Sequence, residues 1–167
     1  FNTGLLLAQD KTLEQEANEF AVQGDTFFAE GGYSKAGKSY EDAVEKLYLA
    51  TKQEDIPLDN QKVTSWLTNA YNSYAKGSDF NNAVRVLDKR KELDPSSYDL
   101  VKTQAIIYKK YLKDIPKAIE VLKVYDNTKQ TYSNHKRIGS YYKALEDFEN
   151  SLIWYQKAYE KKKDSKT

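Results

Sequence analysis

The chain has 167 residues, enough to bury a continuous core within a single domain. Its 26 Lys/Arg nearly cancel its 25 Asp/Glu. A mean hydropathy of −0.82, with no apolar run near the roughly 20 residues that cross a bilayer, excludes a membrane span. Zero Cys excludes a disulfide framework and thiolate chemistry, and leaves the redox compartment open, so a soluble chain in either the cytoplasm or the periplasm is expected.

Only 7 Gly and 3 Pro punctuate the chain, too few for the turns of a many-stranded sheet, while 14 Tyr, 6 Phe and 2 Trp supply core material. Helix is therefore predicted throughout. At the N-terminus, Gly4-Leu5-Leu6-Leu7-Ala8-Gln9 reads either as the tail of a secretory signal or as a helix docked on the first helix pair; the missing basic n-region favours the second. The first residue is Phe and Met is absent, which suits a processed form or an excised piece.

Helices are predicted over 12–30 and 33–53. Between them Gly32-Tyr33-Ser34-Lys35-Ala36-Gly37-Lys38-Ser39 fits the phosphate-loop pattern at every fixed position. Such a loop needs a buried strand feeding it, and the upstream stretch Phe20 to Phe28 is helical in pattern. Nucleotide binding is thus an alternative the context disfavours. The second helix is lengthened past Leu47, Tyr48 and Leu49, stops at Gln53 to Pro57, and the chain restarts with Asp59 or Asn60 as a cap.

Further helices are predicted over 60–76, 80–92, 97–112, 116–126, 131–145 and 147–161. Four segments repeat one pattern, centred on Gly24/Ala36/Tyr40, Ala70/Ala83/Leu87, Ala105/Ala118/Leu122 and Gly139/Ser151/Tyr155. The small residues Ala36, Ala83, Ala118 and Ser151 are separated by 47, 35 and 33 positions, two of them close to a 34-residue period. Small residues let two antiparallel helices approach, and a large neighbour fills the groove beside them. The distance between the two small residues of a unit is one longer in the middle units, so their turns are predicted to be one residue longer.

On Trp66 with Ala70, Ala83 with Leu87, and Asp94-Pro95, the chain resembles the tetratricopeptide repeat (TPR) family over residues 17 to about 160. It departs from the pattern in lacking a closing proline in the first unit, in Arg90, and in Ser151 for alanine. The resemblance implies an all-α, right-handed superhelical solenoid of antiparallel helix pairs with about four units, 17–53, 60–94, 97–128 and 131–161. These would form one domain over 1–167, with an extension at 1–16 and a polar tail at 162–167. It also implies a protein-interaction scaffold holding a peptide or partner helix in a concave groove, an assembly or secretion-associated adaptor. The lysine and asparagine clamp by which some such domains grip a peptide carboxylate is not reproduced, because Ala21 and Asp25 occupy the first positions and only Asn69, Asn72 and Arg137 remain as candidates.

No catalytic residue, cofactor or metal site is expected. His135 stands without Cys or a second His and reads as a packing or rim residue, while Glu146, Asp147 and Glu149 read as acids at a helix start. Charge is uneven: residues 1–97 hold 11 basic and 16 acidic residues, and residues 98–167 hold 15 and 9. Lys102, Lys109, Lys136, Arg137 and Lys143, with Tyr71, Asn72 and Tyr74, are the candidate groove lining, suited to an acidic peptide or anionic surface. RNA binding by the basic half is the alternative, disfavoured by near-neutral overall charge and the lack of an aromatic stacking series. Finally, Leu152, Ile153, Trp154 and Tyr159 put more apolar surface around the last helix than one inner face covers, and no capping helix comes after them. This end is expected to self-associate or to continue into further repeats.

Overall fold

The structure, a computed structural model, describes residues 11–164. Among them are eight helices: α1 (Leu13–Ala29), α2 (Tyr33–Gln53), α3 (Asn60–Lys76), α4 (Phe80–Leu93), α5 (Tyr98–Lys110), α6 (Ile115–Thr128), α7 (Tyr132–Ala144) and α8 (Phe148–Asp164). The stretch Gly4 to Gln9 lies outside the described residues. The chain divides into two compact units, one ending at Asp79 and the other beginning at Phe80.

In the first unit, α1 opens with a reciprocal cap. The Thr12 hydroxyl accepts from Gln15 N–H at 3.1 Å, and the Gln15 side chain accepts from Thr12 N–H at 3.0 Å. Small-against-large packing then sets the helix crossings. A Cβ on Gly24 of α1 would lie 2.8 Å from the Tyr40 ring of α2, and one on Gly37 of α2 would lie 2.7 Å from the Tyr74 ring of α3. Tyr40 donates its hydroxyl to Asp25 at 2.6 Å, and Tyr74 donates to the buried Glu41 at 2.9 Å. Asp59 caps α3 by accepting from Lys62 N–H at 3.0 Å, the predicted restart after the insertion. Leu47, Val63, Leu67 and Ala70 are fully buried between these helices; each large apolar side chain so buried stabilises the fold by about 1.5–3 kcal/mol.

The supposed phosphate loop is thereby accounted for. Tyr33 to Ser39 are the first turns of α2, fed by helix α1, and Gly37 is small because Tyr74 lies on it. Lys38 faces solvent and pairs with Asp42 one turn on. A helix rather than a strand precedes the motif, and the Gly32 N–H is already bonded to the Phe27 carbonyl of α1.

The second unit centres on Val101, Ala105, Ala118, Ile119, Leu122, Tyr125, Ile138, Tyr141 and Trp154. Two buried amides fix its helix register. From α5, Gln104 Nε2 donates to the Val84 carbonyl at 3.2 Å and to Asp88 at 2.8 Å. From α7, Asn134 Nδ2 donates to the Leu122 carbonyl at 3.0 Å and to Asp126 at 3.1 Å. Beside it the buried His135 places Nε2 2.8 Å from Asp126 Oδ1 and meets Trp154 edge-on, the packing role its isolation in sequence suggested. Gly139 receives the Tyr155 ring, 3.2 Å from where a Cβ would stand.

The repeat is also written in the backbone. Gly31, Ser78, Lys113 and Glu146 all have positive φ, from 58° to 79°, and each lies five residues before one of Ala36, Ala83, Ala118 and Ser151. Each belongs to the turn leading into α2, α4, α6 or α8, where Gly32, Asp79, Asp114 and Asp147 donate back to the Phe27, Tyr74, Tyr108 and Tyr142 carbonyls. This half of the turn is constant. The longer turn predicted for both middle units is found only before α6, where residues 111–114 stand against three residues at 30–32, 77–79 and 145–147. Before α4 the expectation is corrected, because the extra residue lies within α3, between Ala70 and its end at Lys76.

Two expectations at the C-terminal end are corrected. Trp154 is only 7% exposed, because it points inward to His135 rather than to an open face. The tail is shorter than predicted: α8 runs through Lys161, Lys162 and Lys163 to Asp164, since cations in a last turn favour the helix dipole.

Candidate interaction site

The side chains of α5 and α7 enclose a cleft of 520 Å³ in the second unit, lined by Ile106, Lys109, Lys110, Lys113, Arg137, Ser140 and Tyr141. Three of its cations, Lys109, Lys110 and Arg137, are held by aromatic groups. Lys109 Nζ sits 4.6 Å from the centre of the Tyr141 ring. Arg137 Nε donates to the Tyr98 hydroxyl at 3.3 Å. Partial burial opposes the guanidinium charge, but hydrogen bonds to Tyr98 and Tyr141 outweigh it and raise Arg137 above the ordinary arginine value. Lys113 enters from the turn, its left-handed backbone fixed by the helix-pair geometry. Arg137 and Ser140 also line a second concavity with Tyr132, Ser133 and Lys136. The result is a basic surface with hydroxyl groups interspersed, suited to carboxylate or other anionic groups.

Of the groove residues named from sequence, Lys109, Lys136 and Arg137 are brought together here. Lys102 pairs with Asp99 on its own helix, and neither it nor the exposed Lys143 lines the two concavities. Tyr71, Asn72 and Tyr74 belong to the first unit. Tyr74 is corrected: at 3% exposure it is core, its ring on Gly37 and its hydroxyl on Glu41, and it offers a partner nothing. Tyr71 is half-buried and Asn72 exposed. The carboxylate-clamp position Asp25 is occupied by its bond from Tyr40.

Sequence reasoning missed Lys110, Lys113, Ser140 and Tyr141. Part of the signal was there, because Ser140 and Tyr141 come three and four residues after Arg137 on α7, the spacings that share a helix face. Lys113 lies past the end of α5, where that spacing does not apply.

At the C-terminal end, Phe148, Leu152, Ile153 and Tyr159 are exposed on α8. A separate apolar concavity of 360 Å³ is lined by Pro116, Ile119, Val124, Tyr142 and Leu145 among others. Among the described residues, no helix is long and apolar enough to cross a membrane.

No known family profile matches the chain. Among solved structures it is similar to MamA MSR-1 C2, with a TM-score of 0.51 and 17% identity over 89% of this chain and 98% of that one. It is also similar to a crystal structure of MamA, with a TM-score of 0.50 and 20% identity over 85% of this chain and 95% of that one. At such identity the likeness is one of fold, the all-helical repeat architecture of a TPR-like protein.

Proposed function

We propose that this chain is a non-catalytic protein-interaction scaffold whose second unit binds an acidic peptide segment across α5 and α7. The observation that carries this reading is the convergence of Lys109, Lys110, Lys113 and Arg137 on one cleft, with Arg137 oriented by Tyr98 and Lys109 by Tyr141. Pre-ordered cations lose less side-chain entropy on binding than free ones. The flanking Lys136 steers an approaching anionic partner. Regular helix pairs with exposed polar faces are a common platform for such recognition.

The test is fluorescence anisotropy with a labelled Asp/Glu-rich 12-residue peptide, against a Lys/Arg-rich control and a single-stranded RNA of equal charge. Saturable binding of the acidic peptide, weakened about tenfold or more in Lys109→Glu/Arg137→Glu, is expected; desolvated charge contacts are worth a few kcal/mol. Tighter binding of the RNA at matched salt would move the reading to nucleic acid. No difference between wild type and the double variant would remove the cleft.

A further inference from the structure

The cleft between α5 and α7 holds positive charge that the chain does not neutralise. Half-buried lysines elsewhere stand against carboxylates: Lys46 against Glu16 at 2.5 Å, Lys62 against Glu14 at 2.9 Å, Lys91 against Asp88 at 2.9 Å and Lys102 against Asp99 at 2.5 Å. Lys109 and Arg137 are half-buried too, yet among the described residues neither has a carboxylate partner. Their partners are phenols. Arg137 bonds the hydroxyls of Tyr98 and Tyr141, and Lys109 lies over the Tyr141 ring. These contacts fix the two cations in place but bring no negative charge, and a partly desolvated cation without a counter-charge is costly to keep.

Tyr141 touches both cations, one through its hydroxyl and the other through its ring face, so the guanidinium and the ammonium are gathered around one residue. Cations held that close favour charge concentrated on a single group over charge spread along a peptide. The remaining cations of the cleft, Lys110 and Lys113, are exposed at its rim, and neither has a carboxylate partner among the described residues. The donors left for a ligand are all cationic, because the Ser140 hydroxyl is spent on the Arg137 carbonyl at 2.8 Å. A guanidinium carries five N–H donors, more than two phenol oxygens use. A carboxylate brings one negative charge and two oxygens to such a site. A phosphorylated side chain brings about 1.5 to 2 charges and three acceptor oxygens, and matches the guanidinium fork.

We propose that the bound segment is held by a phosphorylated serine or threonine, whose phosphate is gripped by Arg137 and Lys109 with Lys110 and Lys113 at the rim. This rests on the acidic-peptide reading and sharpens it: acidic flanks steer the segment to the basic surface, and the phosphate fixes it there. Binding is then switched by the modification state of the partner.

The test uses the whole chain and one Asp/Glu-rich 12-residue peptide made with phosphoserine, Glu or Ser at its centre, compared by fluorescence anisotropy at fixed salt. The phosphoserine peptide is expected to bind at least about tenfold more tightly than the Glu peptide, and the Ser peptide least tightly. Arg137→Lys keeps the charge and loses the fork, so it is expected to remove most of that margin while holding affinity for the Glu peptide within about threefold. That retained binding also shows that the variant is folded. Equal affinity for the phosphoserine and Glu peptides overturns the inference and leaves the acidic-peptide reading standing, whereas binding of neither removes both. An unchanged margin in Arg137→Lys overturns it, because the phosphate would then be held elsewhere. So does displacement of the phosphoserine peptide by an equal concentration of inorganic phosphate, which would make the cleft a site for the free ion.

Discussion

The ring of Tyr74 lies so close on Gly37 that a Cβ at Gly37 would stand 2.7 Å from Cζ. This contact makes a core residue of a tyrosine whose helix position suggested a groove, and makes a packing glycine of one whose sequence context suggested phosphate. Gly37→Ala must displace the ring and with it the hydrogen bond to Glu41. A loss of about 1–3 kcal/mol is expected, the ordinary cost of overpacking. Urea denaturation measures it, and an unchanged midpoint would contradict the Tyr74 placement.

Tyr40 gives a pH dependence. Burial first, and then its hydrogen bond to Asp25, push its phenol well above the ordinary tyrosine value. The folded chain thus holds this proton more tightly than the unfolded chain, where tyrosine titrates near about 10. The contribution to stability is complete below that pH and is lost as pH rises towards the folded value. Melting temperatures from pH 8 to 11.5 should fall more steeply in wild type than in Tyr40→Phe; parallel curves would refute the assignment.

Trp154 and Leu152, two residues apart on α8, should respond in opposite ways. Trp154 packs on His135 in the core, and Trp154→Ala is expected to cost about 3–5 kcal/mol. Leu152 is exposed, and Leu152→Glu should change monomer stability by no more than about 0.5 kcal/mol. Chemical denaturation at low protein concentration, where self-association does not contribute, makes the comparison. Equal losses would mean that α8 is rotated about its axis, away from the orientation that buries Trp154.

Lys113 and Glu146 occupy equivalent left-handed turn positions. Left-handed backbone costs a residue with a Cβ about 1–2 kcal/mol, and glycine avoids that cost while losing some entropy on folding. Both Lys113→Gly and Glu146→Gly should therefore stabilise the chain slightly, by up to about 1 kcal/mol. Only Lys113→Gly should weaken acidic-peptide binding, because only Lys113 lines the cleft. Thermal melts and anisotropy on the two variants separate the turn from the site.

The all-helical class, the helix boundaries to within about three residues, and the small residues at each helix crossing were legible in the sequence. These depend on local periodicity and on side-chain size, and both can be read along the chain. The capping role of Asp59 was legible for the same reason. Which large residue meets which small one was decided by tertiary structure: Gly24 takes Tyr40 and Gly37 takes Tyr74, across helices rather than along them. Rotation of a helix about its axis is set by such contacts, and that rotation puts Trp154 in the core and Leu152 on the surface. The same kind of choice gathered Lys109 and Arg137 into one cleft and left Lys102 with Asp99 and Lys143 outside it. Sequence gives the faces a helix can present, but the packing of its neighbours chooses among them.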